Sequence, residues 1–368
     1  MTYKVVVVAV VFLTLIFLIA SVECKFGICA DNETLDLESD GYQYIRSKDP
    51  LISALYREWW FFALYDPLVD IGFCIGYSAM DPAKTFGLEA SGIAGMLWTS
   101  VANNTGQDPT NVLDGYDFEQ FSAYKENATV SIGKENFIKV LDQTTYQIIG
   151  SSRNGELNWS LTFHQKSYAC RQKEEVPQVL ELDWIAYMPS AHVFGVIQYN
   201  TKLFSINTTA YHDHNYGAWP TNLFNWIWAQ FHRVDKEFSL VLGSYHIPVT
   251  ENEYIGYIFI RWRNQRIEIG TLCGNTFHLK PLEWQIVDGK KYSIHNKIEA
   301  WNDQYKINIE YKARVSNDNP GGRGLGLKVF EQISQYEVIL YGKHEDNWVI
   351  LEQNLTGYGF SEWSHVEI

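Results

Sequence analysis

Along most of the chain, apolar and polar residues alternate with a period of two. Leu157, Trp159, Leu161 and Phe163 interleave with Asn158, Ser160, Thr162 and His164. Ile307, Ile309, Tyr311, Ala313 and Val315 interleave with Lys306, Asn308, Glu310, Lys312 and Arg314. Successive side chains of a strand point to opposite faces, so each run offers one face to a core and one to water, as in antiparallel sheet. Tyr254–Trp262 is apolar on both faces and predicts a more buried strand. Turn signals punctuate the runs at Asp114-Gly115, Asn154-Gly155, Asp288-Gly289 and Asn319-Pro320-Gly321-Gly322. Long helical periodicity is scarce. Many short strands between regular turns predict an all-β chain of sandwich or barrel type. The strand pattern stops at Gly217-Ala218-Trp219-Pro220, which predicts a boundary between a first β domain over residues 45–218 and a second over residues 219–368.

The N-terminus departs from this pattern. Lys4 precedes an apolar run from Val5 to Ala20, with Glu23 and Lys25 close behind. This predicts a secretory signal within residues 1–24, cleaved after Ser21 or after Cys24; a signal anchor is the competing reading. Six acceptor triplets for N-glycosylation begin at Asn32, Asn103, Asn127, Asn158, Asn207 and Asn354 and fit an extracellular glycoprotein. Cleavage after Cys24 leaves Cys29, Cys74, Cys170 and Cys273, an even number compatible with a disulfide whose connectivity the sequence does not give. A net charge of −14 argues against nucleic acid or an anionic membrane as partner. With 46% hydrophobic and 15% aromatic residues, the chain has ample material for a large core.

Two segments concentrate candidate chemistry. Arg57-Glu58-Trp59-Trp60-Phe61-Phe62 runs a charged pair into four aromatics, and Tyr211-His212-Asp213-His214-Asn215-Tyr216-Gly217 is followed by Trp219, Trp226 and Trp228. An E-W-W-Y/F-F segment and then, about 150 residues later, Y-x-D-H-x-W-G resembles the family of AttH-type, two-lipocalin-domain proteins. That family includes the carotenoid hydratases, kievitone hydratase and fungal Diels–Alderases. Tyr216 stands where the family more often has Trp, and nothing beyond Trp228 matches its pattern. The resemblance implies two lipocalin-like β domains packed together, with an apolar pocket at or near their junction. It also implies hydration, or a related acid-promoted reaction, of an isoprenoid or prenylated lipophile.

Adding water to an isolated alkene requires a carboxylic acid kept protonated by burial and electron-rich rings facing the resulting cation. Asp213 is the candidate acid and Glu58 the second. His212 and His214 are candidates to relay protons or orient water, and Trp59, Trp60, Phe62, Tyr211, Tyr216, Trp219, Trp226 and Trp228 to line the pocket. On a regular strand, residues 212, 214 and 216 share one face and 211, 213 and 215 the other, so one common pocket demands a bend or bulge. Competing readings are a buried hydrogen-bonded network for the Asp-His segment, an ion pair with Arg57 for Glu58, and a zinc site begun by His212 and His214 but lacking a third ligand. No G-x-S-x-G, H-E-x-x-H or dinucleotide fingerprint occurs, and Gly321–Gly326 lacks the G-K-S/T ending of a phosphate loop, so no cofactor or metal is expected. A cyclase acting on a polyene and a non-catalytic carrier of an apolar ligand are the alternative functions.

Overall fold

The computed structural model describes residues 35–44, 55–80, 91–99, 110–176, 180–218, 225–246, 254–271, 274–319 and 327–366. Within them the chain forms two antiparallel sheets. The first contains β1 (Tyr56–Asp66), β2 (Ile71–Met80), β3 (Ser91–Thr99), β4 (Thr110–Tyr116), β5 (Phe121–Ala123), β6 (Val130–Ile132), β7 (Asn136–Asp142), β8 (Thr145–Ser151), β9 (Leu157–Gln165), β10 (Cys170–Val176), β11 (Leu180–Tyr199) and β12 (Lys202–Ala218). The second contains β13 (Asn225–Arg233), β14 (Phe238–His246), β15 (Tyr254–Trp262), β16 (Gln265–Gly270), β17 (Thr276–Val287), β18 (Lys290–Trp301), β19 (Tyr305–Asn319), β20 (Leu327–His344) and β21 (Asn347–Val366). Short 3-10 turns at Leu37–Asp40, Phe118–Gln120 and Val234–Lys236 complete the described elements. None of them is a helix long and apolar enough to cross a membrane.

Strand order is β4-β3-β2-β1-β12-β11-β9-β8-β7-β6-β5 in the first sheet, with β10 on β11, and β16-β15-β14-β13-β21-β20-β19-β18-β17 in the second. One plan underlies both. A four-strand meander begins with a strand that pairs with the last strand of its own sheet, β1 with β12 and β13 with β21. Each sheet curls over its own core in the manner of a lipocalin-like half-barrel. Trp60, Phe62, Phe73, Tyr77, Tyr146 and Phe163 fill the first core; Phe231, Leu240, Ile258, Tyr311 and Tyr336 belong to the second. A third cluster joins the backs of the two sheets, with Ala63, Cys74, Trp184 and Tyr211 on one side and Trp228, Val241, Tyr257 and Phe259 on the other.

The alternation accounts for this arrangement. Leu157, Trp159, Leu161 and Phe163 are all buried in the first core. Ile258 and Ile260 of β15 enter the second core while Tyr257 and Phe259 enter the inter-sheet cluster, which is why that strand is apolar on both faces. Asn154-Gly155 and Asp288-Gly289 are turns, and the positive φ of Gly155 (72°), Asp288 (50°) and Gly289 (77°) explains the choice of residues. Asp114-Gly115 is not a turn. Both residues lie inside β4, opposite Ile93 and Gly92. There Asp114 Oδ2 accepts from the Arg153 backbone N–H (2.7 Å) and the Gly115 carbonyl from Arg153 Nη2 (2.6 Å), so the polar pair serves an edge contact. The Gly321–Gly326 segment, the predicted signal, Cys24, Cys29 and Cys273 lie outside the described residues. Cys170 is disulfide-bonded and Cys74 is a buried thiol.

Candidate functional site

β1 and β12 pair without interruption from Tyr56↔Ala218 to Leu64↔Ala210. No bulge interrupts this pairing, so alternation divides the candidate residues between two faces. Glu58, Trp60, Phe62, His212, His214 and Tyr216 face the interior of the first half-barrel; Trp59, Phe61, Tyr211, Asp213 and Asn215 face the second sheet.

The interior group forms a polar cluster sealed from solvent. His212 Nδ1 donates to the Phe61 carbonyl (3.0 Å), which leaves Nε2 facing Asp40 Oδ2 at 3.0 Å. His214 Nε2 lies 2.9 Å from Glu58 Oε1, and its Nδ1 lies 3.5 Å from Asp40 Oδ1. Glu58 also accepts from the Gln43 backbone N–H (2.9 Å) and the Tyr56 hydroxyl (2.7 Å), while Trp60 Nε1 donates to the Asp40 carbonyl (2.8 Å). Trp60 stacks on His214 (4.6 Å between centroids) and Phe62 on His212 (4.1 Å). Asp40, Glu58, His212 and His214 have no exposed surface. The partner of Glu58 is therefore His214, with Arg57 on the opposite face of β1. Tyr216 accepts from Arg171 Nη2 (3.0 Å), whose guanidinium also holds Asp183 at two positions of 2.7 Å. Among the described residues, no group of three or more His, Cys, Asp or Glu side chains is placed to hold a metal ion.

The opposite face opens on a cleft between the sheets with a cavity of about 150 Å³. Trp59 and Trp184 from the first sheet and Trp226, Trp228, Tyr245 and Tyr257 from the second line it. Asp213 projects into it from β12 and is 4% exposed. Its Oδ2 accepts from Trp184 Nε1 (2.9 Å) and the Tyr211 hydroxyl (2.9 Å), and its Oδ1 from Asn215 Nδ2 (2.9 Å). Trp228 Nε1 of the second sheet in turn donates to the Tyr211 hydroxyl (3.3 Å), so the network crosses the junction. Burial pushes the Asp213 carboxyl up to about 7, against the pull of the Trp184 and Tyr211 hydrogen bonds.

Two further carboxyls complete the cleft, Glu331 of β20 and Glu362 of β21, which sit opposite each other in the strand pairing. Glu331 is fully buried; Asn319 Nδ2 donates to its Oε1 (3.0 Å), and among the described residues only the Glu362 carboxyl meets its Oε2. Trp226 Nε1 donates to Glu362 Oε1. Burial, then the neighbouring Glu362 carboxyl, holds Glu331 well above the usual carboxylate range, and burial raises Glu362 as well. The Glu362 carboxyl disfavours ionisation of Glu331, while the hydrogen bond between the two eases ionisation of Glu362.

Of the residues singled out from sequence, Asp213, Trp59, Trp226 and Trp228 meet in the cleft, with Tyr211 directly behind Asp213. His212, His214, Glu58, Trp60, Phe62 and Tyr216 do not join them. Trp219 lies outside the described residues, as do Asn32 and Asn103. Asn207 and Asn354 are exposed, and Asn127 and Asn158 half-buried. Sequence reasoning missed Glu331, Glu362, Trp184 and Asp40. The first two had a signal: each carboxylate stands next to a bulky aromatic residue of a strand, Phe330-Glu331 and Glu362-Trp363.

No protein-family model matches the sequence, and no curated protein matches it. Solved structures do match in fold. A putative AttH from Nitrosomonas europaea superposes with a TM-score of 0.60 at 12% identity, over 92% of this chain and 99% of the other. CghA in complex with Sch210972 gives 0.54 at 11%, over 93% and 98%. Kievitone hydratase from Nectria haematococca gives 0.50 at 13%, over 88% and 94%. The chain carries the two-half-barrel fold shared by AttH, CghA and kievitone hydratase, the group its E-W-W and Y-x-D-H segments resemble.

Proposed function

We propose that the protein is a hydratase-like enzyme that protonates an alkene of an isoprenoid or prenylated lipophile in the inter-sheet cleft and adds water to the cation. Asp213 is the acid. Its proton passes to the less substituted alkene carbon: the carboxyl O–H and the π bond break, and a C–H bond forms. The tertiary cation left behind faces the rings of Trp59, Trp184 and Trp228. Water forms the C–O bond and returns a proton to the Asp213 carboxylate, so the cycle closes with no cofactor. A cavity of about 150 Å³ suits a five-carbon prenyl end, since a cavity of roughly that size accommodates a benzene. Kievitone hydratase, by its name a hydratase, shares the fold. The proposal includes export as a glycoprotein, supported by the signal-like N-terminus and by the exposure of Asn207 and Asn354.

The observation that carries this reading is a carboxyl buried among aromatic rings that titrates near neutrality, as a general acid working at pH 7 must. Its test is Asp213→Asn, which preserves shape but cannot deliver the proton. With a 3-methyl-2-butenyl phenol in H2(18)O as probe, label enters the product alcohol, and turnover falls as pH rises through about 7. The substitution lowers turnover by roughly 10²–10⁴-fold while binding of the probe stays nearly unchanged. Turnover surviving within about tenfold assigns the acid elsewhere or points to a cyclase that works by preorganisation. Binding without turnover in the wild type points to a carrier.

A further inference from the structure

We propose that the inter-sheet cleft is a binding site for organic cations, namely ammonium heads carrying three or four alkyl groups on a short apolar chain. Five observations converge on it. The walls are aromatic on both sides, with Trp59 and Trp184 opposite Trp226, Trp228 and Tyr257. Three carboxyl side chains enter from three strands, Asp213, Glu331 and Glu362. No Lys, Arg or His is among the described residues that line it. Glu331 has no exposed surface, and among the described groups only the Glu362 carboxyl meets its Oε2. The cavity, about 150 Å³, is the size of such a head.

Each feature selects for positive charge without hydrogen-bond donors. The negative faces of indole and phenol rings attract a cation and are indifferent to a neutral group of the same shape. An alkylated ammonium is weakly hydrated, so it enters an apolar box at less cost than a primary ammonium. The carboxyls supply the counter-charge that a lone aromatic box lacks, and the Glu331 oxygen that meets only another carboxyl marks where positive charge is wanted. Between the Glu331 and Glu362 carboxyls one positive charge relieves the repulsion, and a cation supplies it as well as a proton does. The proposal stands on the make-up of the cleft and not on hydration chemistry, although a carbocation would be stabilised by the same features.

The experiment compares choline with 3,3-dimethyl-1-butanol, its neutral carbon isostere, on the full-length secreted protein by titration calorimetry. Choline binds at least about tenfold more tightly than the isostere. In the Glu331→Gln/Glu362→Gln double variant the preference collapses to within about twofold, while the isostere binds as before. Glutamines keep the size of both side chains and relieve a like-charge contact, so the fold persists; unchanged near-ultraviolet circular dichroism verifies this. Equal affinity for the two ligands, no choline binding up to about 10 mM, or a preference that survives the double substitution each overturns the proposal. Choline preference in a protein that hydrates no alkene leaves this inference standing and removes the hydratase reading. Hydration without choline preference does the reverse.

Discussion

Replacing Asp40 by alanine perturbs the sealed cluster at its centre. The carboxylate has no exposed surface and faces two imidazoles, His212 Nε2 at 3.0 Å and His214 Nδ1 at 3.5 Å. The alanine leaves both ring nitrogens buried without that partner and opens a void between them. The loss is about 3–5 kcal/mol in all, roughly 1–3 for each buried group left unsatisfied and the rest for the void. The Trp60 hydrogen bond is to the Asp40 backbone carbonyl and survives, so it adds nothing to the loss. At roughly 2–4 °C per kcal/mol for a unit of this size, the transition of the first half-barrel drops by about 6–20 °C. Asp40→Asn retains an acceptor and the volume and costs less, about 1–2 kcal/mol. Urea unfolding followed by tryptophan fluorescence reads this directly, since Trp60 stacks on His214 within the cluster. Residues 35–44 should also become protease-sensitive in the alanine variant. A loss below about 1 kcal/mol, with residues 35–44 still protected, refutes the claim that the cluster pins this segment to the barrel.

Two other outcomes follow from the same physics. Asp213 holds its proton more tightly folded, at about 7, than at its ordinary 3.8, so its contribution to wild-type stability is greatest below about pH 4, declines up to about 7 and is level above. In Asp213→Asn this contribution, at most ~4 kcal/mol, is gone, and the gap between the urea midpoints at pH 5 and pH 8 narrows; a slope equal to wild type counts against the buried-acid assignment. Expressed in a eukaryotic host, the chain is expected in the medium, starting at Val22 or Lys25 and shrinking on glycosidase treatment. Recovery in membranes with Met1 intact speaks for a signal anchor instead.

Period-two alternation made the fold legible, because a strand with one buried face writes its geometry directly into the sequence. The same rule already separated His212 and His214 from Asp213, and the straight β1–β12 register enforces that separation. What the sequence could not show was pairing at long range. Asp40 finds His212 across 172 positions, and Glu331 meets Glu362 only because β20 and β21 pair in one particular register. The aromatic run after Glu58 concealed a division of labour: Trp60 and Phe62 stack on the histidines, while Trp59 and Phe61 face the cleft. Asp114-Gly115 misled because a turn signal reports local propensity, and an edge contact with Arg153 overrode it.

The two faces of β1 and β12 are not independent. A strand slipped by one residue exchanges its faces entirely, which would put Asp213 in the barrel and His212 in the cleft. Apolar residues lie on both sides of this pair, Trp60 and Phe62 inward and Trp59 and Phe61 outward, so hydrophobic burial alone distinguishes the two registers poorly. The polar cluster removes the ambiguity. The observed register brings two imidazoles within reach of Asp40 and Glu58, and a one-residue slip leaves these polar groups without their partners, at about 1–3 kcal/mol for each one that stays buried. His212, His214 and Glu58 thus act on the cleft without entering it. By fixing which residues of β12 face inward, they fix Asp213 outward, with Tyr211 and Asn215 on either side to hold its carboxyl. The placement of the Asp213 carboxyl in the cleft is thus set from the opposite face of its own strand.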